Sequence, residues 1–247
     1  MAEFLNEYVA NNEFFGLILS IVAFRIGMII NQKTKIPLLN PLLLAILLCI
    51  GFLKLTGITY ENFNMGGKYI SFLIGPTTVA LVVSLYRNID RLKQNLIPIL
   101  VGVFIGAMIA IVSAYFLSNL FKFDKNLTLA MMPQSVTTPI AKSLTEEYVS
   151  KNVTDMSVIS AYAAITAVTV ILRGIVGAIA APVVMKVMRV KDPVAMGVGI
   201  GTASHAMGTS KAIEMGEVQG AMSGLSIAIA GINTVILMPL FVKLFIK

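Results

Sequence analysis

The chain reads as an all-α, polytopic membrane protein, and three observations carry that reading. It is 57% hydrophobic and only 13% charged, whereas soluble domains carry roughly 25% charged residues. Its mean hydropathy is +0.88. Charge-free apolar runs recur at 36–53, 69–86, 94–121, 126–141, 156–172, 193–210 and 218–242, and a spanning helix needs about 20 such residues, range roughly 17–25. Gly, Ala, Leu, Ile and Val fill these runs without the alternation of a lipid-facing barrel strand.

The same numbers exclude other classes. A soluble fold this apolar would expose contiguous greasy surface, which monomers avoid. A soluble enzyme and a disordered chain are therefore ruled out. The net charge of +7 does not signal nucleic acid, because the 19 Lys and Arg are scattered between apolar runs rather than clustered with aromatics. Residues 1–13 hold Glu3, Glu7 and Glu13 and no Lys or Arg, the opposite of a cationic leader. Cys49 is the single cysteine and lies inside an apolar run, so no disulfide framework is expected. One domain over 1–247 is expected.

A first span is expected at about 14–31, interrupted by Arg25. A turn over 31–35 leads to a second at 36–53, with Pro37 and Pro41 near its start, where proline is tolerated. A polar connection with Gly57, Asn62, Asn64, Gly66 and Gly67 follows. The third span is 69–86, with Gly75 and Pro76 in its middle. The basic loop of Arg87, Arg91 and Lys93 precedes a fourth span at 96–118. A polar loop with Glu146, Glu147, Lys151 and Asp155 separates segment 127–145 from a long helix at about 157–188 holding Arg173. Lys186, Arg189 and Lys191 close that helix, segment 193–212 follows, and a last span covers 220–242.

That makes about six full spans and two segments that do not read as simple helices. Pro133 and Pro139 each remove a helical hydrogen bond within 131–140. The stretch 199–210 is dense in Gly, Ser and Thr, which predicts unwound backbone. Irregular backbone at membrane depth survives only where protein buries it or water reaches it. The bland alternative is a kinked helix with small residues for packing. If both segments enter and leave on one side, the basic loops 31–35, 87–93 and 186–191 all face the cytoplasm, as the positive-inside rule asks. Helix 96–118 with 127–145, and helix 157–188 with 193–212, then form an inverted repeat, a recurring transporter design.

The candidate chemistry sits in these two segments. Ser135, Thr137 and Thr138 lie between the prolines, where broken-helix N-termini present free N–H groups suited to an anion. Against this, such hydroxyls also bond back to their own helix. Gly201, Thr202, Ser204, His205, Gly208 and Thr209 form the facing candidate half. His205 is the only histidine and can carry a proton, although a lone histidine is often a structural hydrogen-bonder. No metal site is expected, since no second histidine or nearby cysteine completes one. No catalytic dyad is read at Ser204 and His205, because adjacent positions point apart and no acid orients the ring; no catalytic residue and no cofactor are expected. Lys211 with Glu214 is an i,i+3 pair. Arg25 and Arg173 sit mid-helix and are either snorkelling or buried, or mark an anion path. Gly102 with Gly106 and Gly220 with Gly224 permit close packing and self-association into homo-oligomers.

Four stretches resemble the LrgB/CidB family: Asn40-Pro-Leu-Leu43, Gly75-Pro-Thr-Thr-Val-Ala-Leu81 with Tyr86, Pro133-Gln-Ser-Val-Thr-Thr-Pro-Ile-Ala141, and Gly201-Thr-Ala-Ser-His-Ala-Met-Gly-Thr209 followed by Glu214, Glu217, Gly220 and Ala221. The likeness covers about 36–240. It implies a multi-pass protein of the bacterial cytoplasmic membrane that modulates murein hydrolase activity and autolysis in holin/antiholin fashion, beside a small LrgA/CidA-like membrane partner. Plastid relatives resemble glycolate/glycerate transporters, and some bacterial pairs are associated with pyruvate. These roles agree if the core activity is movement of a small monocarboxylate with lysis control following from it; with His205 read above as a proton carrier, a proton-coupled carboxylate transporter is the expectation. The alternative is a lysis modulator that acts through its partner and transports nothing; an intramembrane hydrolase is a distant third. Two positions depart from the family pattern: Gln134 stands where a basic residue is usual, and Lys142 where a small or apolar one is. Lys142 or Lys211 is then the candidate positive charge.

Overall fold

The computed structural model describes residues 12–34, 36 and 39–246. The acidic stretch read as no leader (apart from Glu13), and the positions of Lys35 and Pro37, lie outside the described residues. Among the described residues every regular element is helical: α1 (Phe15–Thr34), α2 (Pro41–Thr56), α3 (Tyr60–Phe72), α4 (Ile74–Arg87), α5 (Ile89–Gln94), α6 (Leu96–Leu120), α7 (Lys125–Met131), α8 (Thr138–Val149), α9 (Met156–Val187), α10 (Pro193–Met215) and α11 (Glu217–Phe245). Among the described residues α1, α6, α9 and α11 are long and apolar enough to cross a membrane. They carry exposed Ile18, Ile105, Val168 and Ile232, apolar surface that lipid covers favourably. The chain is a multi-pass membrane protein.

Three local expectations change. The second run forms a helix of 16 residues, about 24 Å long and short of a hydrocarbon core of roughly 30 Å. The run 69–86 is divided between α3 and α4 at Leu73. That division puts Pro76 in the first turn of α4, where its missing N–H costs nothing. The connection read as a polar loop is helical from Tyr60, because Thr59 caps α3 by accepting from the Asn62 N–H at 3.3 Å.

The chain divides into two compact units, Met1–Ala80 and Leu81–Lys247. In the first, α1 packs against α2 and α3. Gly16 and Gly66 make the α1–α3 crossing close enough that a Cβ on Gly66 would stand 2.7 Å from the Gly16 nitrogen. Asn40 caps α2 through the Leu42 N–H at 2.8 Å.

In the second unit α10 packs along α11 and against α9 and α6, and α8 packs on α9. The starts of α7, α9 and α10 are capped by Asp124, Asp155 and Asp192, each accepting backbone N–H bonds. One apolar cluster joins Met132, Leu129 and Leu144 to Ile111, Ile159 and Met238. A second joins Ile99 and Val103 of α6 to Val194 of α10 and Met222 of α11.

Candidate functional site

Both marked segments lie in the second unit, and both are broken, though differently. The first is open between α7 and α8: Met132 to Thr137 carry no regular helix. The second is narrower than expected. α10 runs helically from Pro193 to Met215 except at His205, whose φ of 43° and ψ of −140° interrupt it. Dense Gly, Ser and Thr thus unwound one residue rather than a stretch, because α11 packs along the remainder. Gly201 sits so close to Ser223 of α11 that a Cβ would overlap its backbone, and that contact holds the turn before the break in helical form.

α9 holds both breaks. Thr166 Oγ1 reaches the Ala130 carbonyl, near the end of α7, and the Tyr162 carbonyl one turn back in α9, both at 3.0 Å, and shares its one proton between them. It also lies 2.8 Å from Thr145 Oγ1 of α8. A carbonyl only accepts, so Thr166 spends its proton on a carbonyl and Thr145 donates to Thr166. One turn on, the Val170 side chain packs against Val136 of the first break, while its carbonyl accepts from His205 Nε2 of the second at 3.0 Å. That bond requires the proton on Nε2. Arg173 Nε then donates to the Ala203 carbonyl at 2.8 Å, two residues before the break. Thr166 and Arg173 are two turns apart and share a face of α9. Each supplies a donor to a carbonyl that a broken helix leaves short.

A cavity of about 520 Å³ lies between α6 and the first half of α10. Gly102, Gly106 and Gly199 leave room for it, and Asn95 and Asp192 stand where α6 and α10 begin. Arg173, Thr202 and Ala203 line it further along. From Asn95 to Ser113 it follows α6 for about 27 Å. The Arg173 guanidinium is bound to protein through Nε, and its two Nη groups have no protein partner among the described residues. The ion pairs among those residues are Lys151–Glu147 and Lys211–Glu214, so Arg173 forms none, although the Asp192 carboxylate lines the same cavity.

The sequence-marked residues separate into groups. Ser135 is buried to 1% exposure and its Oγ has no partner; Thr137 and Thr138 are half-buried at the start of α8. Thr202 lines the cavity and bonds back to the Val198 carbonyl at 2.7 Å. Thr209 donates to the His205 carbonyl at 3.0 Å and meets Ser223 Oγ at 2.7 Å. Ser204 and Gly208 pack together within α10, and Gly177 of α9 leaves room for Ser204. Lys142 is exposed, and Lys211 is paired with Glu214 at 2.6 Å. Of the mid-helix arginines, Arg173 lines the cavity; its cue in the sequence was one cation inside an otherwise apolar helix. Asn95 and Asp192 were not marked, since residues at the heads of helices read as caps. Among the described residues no group of three or more His, Cys, Asp or Glu could hold a metal ion.

The LrgB-like family matches residues 20–244. The antiholin-like protein LrgB of Bacillus subtilis (strain 168) is 35% identical over 232 residues, 94% of this chain and 96% of that protein. The antiholin-like protein LrgB of Bacillus mycoides (strain KBAB4) is 34% identical over 229 residues, 92% of this chain and 95% of that protein. No solved structure is significantly similar. With a family match over most of its length and relatives of this identity aligned nearly end to end, the chain belongs to the LrgB-like family.

Proposed function

We infer that this chain moves a small monocarboxylate of the pyruvate and glycolate class across the bacterial cytoplasmic membrane, and that autolysis control follows from that movement. The observation that carries the reading is Arg173. A guanidinium about 26 Å along a spanning helix, with no carboxylate partner among the described residues, is expensive to keep and marks a path for charge. It lines a cavity large enough for a three-carbon acid many times over. In the proposed cycle the carboxylate enters at the Asn95–Asp192 end and exchanges water for the Nη groups of Arg173. Thr202 adds a hydroxyl nearby. His205 already holds a proton on Nε2 and can take a second on Nδ1, which would couple the anion to a proton. Gly201, Ser204, Gly208 and Thr209 then act by shaping the break around His205, and the opposed broken segments form an inverted pair that enters and leaves the membrane on one side.

A second reading has its own support. The relatives are named antiholin-like, which favours a modulator of murein hydrolases acting through a small LrgA/CidA-like partner, as a single domain that can self-associate, with no specific transport and no catalysis. Uptake of labelled pyruvate and glycolate into proteoliposomes, with and without that partner, separates the two. Saturable, competitive uptake is expected. Folded protein that gives none under either condition would leave the modulator reading.

A further inference from the structure

We propose that the groove between α6 and the first half of α10 seats one acyl chain of an anionic phospholipid, whose headgroup rests on the basic stretches at the groove's mouth. The seat follows from the groove and the charges around it and does not depend on the transport reading.

The lining changes character with depth. Asn95 and Asp192 mark the mouth. Inward of them come Pro98, Ile99, Gly102, Val194, Ala195 and Val198, and the next polar side chains along the lining are Thr202 and Arg173. Thr202 is turned back to its own helix through the Val198 carbonyl. From Asp192 to Ala203, whose carbonyl holds Arg173, α10 rises about 16 Å. One leaflet of a hydrocarbon core of roughly 30 Å is about 15 Å deep. The apolar stretch thus matches the chain of one leaflet, and the guanidinium lies beyond its end. Ile99 and Val194 are buried at the floor. Pro98, Gly102, Ala195 and Gly199 are exposed, so the groove opens sideways, where a bilayer offers acyl chains rather than water.

The mouth lies between two basic stretches. Asn95 alone separates α5 from α6, and α10 begins directly after Asp192. Leu92 of α5 packs on the cluster that holds Ile99 and Val194, so folding brings 87–95 and 186–192 to one end of this unit. They carry Arg87, Arg91, Lys93, Lys186, Arg189 and Lys191, all exposed, and none forms an ion pair among the described residues. The acids at that end are Asp90, Asp192 and, at the start of α11, Glu217; Glu214 is spent on Lys211. A lipid phosphate needs no single converging site here. Each Lys or Arg near the surface attracts anionic headgroups over a Debye length of about 8–10 Å. A zwitterionic headgroup, with no net charge, gains far less. With a chain seated, an anion arriving from this end displaces it before reaching Arg173.

The test places the full chain in bilayer nanodiscs holding phosphatidylglycerol or phosphatidylcholine with a diazirine in the acyl chain, at equal fraction. After photolysis, peptide mapping reads the label on 98–106 and 194–203, with the exposed face of α1 around Ile18 as the measure of bulk lipid contact. Phosphatidylglycerol is expected to label the groove about fivefold more than phosphatidylcholine, even if only one cation is engaged. Lys186→Gln/Arg189→Gln/Lys191→Gln, confined to exposed positions, should bring the two lipids together. Gly102→Leu should empty the groove of both while the α1 label stays; the position tolerates a side chain, since a Cβ there meets only Val198 Cγ1 at 3.8 Å. Equal labelling by the two lipids in the wild type overturns the headgroup seat. A groove label that survives Gly102→Leu overturns the chain seat. No groove label, with Gly102→Cys in a Cys49→Ala background cross-linking between copies, gives the groove to a second copy and overturns both. None of these readings uses pyruvate: failed uptake leaves the lipid seat standing, and an unlabelled groove leaves the transport reading standing.

Discussion

Arg173 and Ala203 are joined by a 2.8 Å hydrogen bond from the guanidinium Nε to a carbonyl two residues before the break in α10. The bond ties the cation to the negative end of a half-helix, where a positive charge is favourable. It also fixes the guanidinium plane and leaves both Nη groups for a ligand. Two turns earlier on the same face, Thr166 reaches Ala130 at the end of α7 with a hydroxyl shared with the Tyr162 carbonyl. α9 thus carries both the support of the two breaks and the charge of the cavity.

Arg173→Gln is expected to raise the KM for pyruvate uptake about tenfold to about a hundredfold, the equivalent of the roughly 1.5–3 kcal/mol of a charge-assisted hydrogen bond. Arg173→Lys should recover only part of the loss, because an ammonium cannot bond Ala203 and present a planar donor edge together. Proteoliposome kinetics measure this, and an unchanged KM in the Gln variant would take Arg173 off the substrate path.

Thr166→Val keeps the shape of the side chain and removes the donor to Ala130 and the acceptor for Thr145. Leaving those buried groups unpaired should cost about 1–3 kcal/mol, read as a lower Tm in detergent. Thr166→Ser should restore most of it. Equal Tm values for Val and Ser would mean that packing alone matters there.

His205 adopts a backbone conformation that favours glycine, at a cost of order 1–3 kcal/mol for another residue. His205→Ala loses the ring bond to Val170 and keeps that cost. His205→Gly loses the bond and sheds the cost. Thermal denaturation should therefore rank Ala below Gly, and the reverse order would show that the break is set by the ring rather than by the backbone.

Two glycines should respond in opposite ways. A Cβ on Gly201 overlaps the Ser223 backbone of α11, so Gly201→Ala should destabilise by roughly 1–3 kcal/mol through overpacking. A Cβ on Gly51 meets nothing within 4 Å, so Gly51→Ala in α2 should stabilise by about 0.5–1 kcal/mol. Denaturant or thermal melts of the two variants give both signs.

The Asp155 carboxyl, at the N-cap of α9, is held below its ordinary value by the Ser157 hydroxyl and the Ser157 N–H. Its contribution is thus present above the ordinary aspartate value of 3.8 and is lost as pH falls through the lowered folded value. A plot of Tm against pH should fall more steeply on the acid side in the wild type than in Asp155→Asn. Parallel acid limbs would remove Asp155 from the stability of that helix end.

Much of the fold is legible in the sequence, and the reasons are local. Runs such as 96–118 and 157–188 declare α6 and α9 because lipid demands length and apolarity together. Pro133 and Pro139 announce the first break because proline removes a donor wherever it stands. The division at Leu73 was less legible, since the run 69–86 is equally apolar on both sides of it. The site was half legible. Ser135 and His205 stand out by residue type, whereas Thr166 looks like an ordinary polar residue inside an apolar run until α7 and α8 are packed against it.

The sequence by itself determined that this chain is helical, lives in a membrane and breaks twice in its later half. Composition, run length and proline placement act through the backbone and the solvent, without need of a partner element. Tertiary structure decided which polar groups keep a free hand. Whether a hydroxyl bonds back, a lysine finds a glutamate or a guanidinium faces a cavity depends on which helix lies opposite, and that is settled only when α9 and α11 close on the breaks.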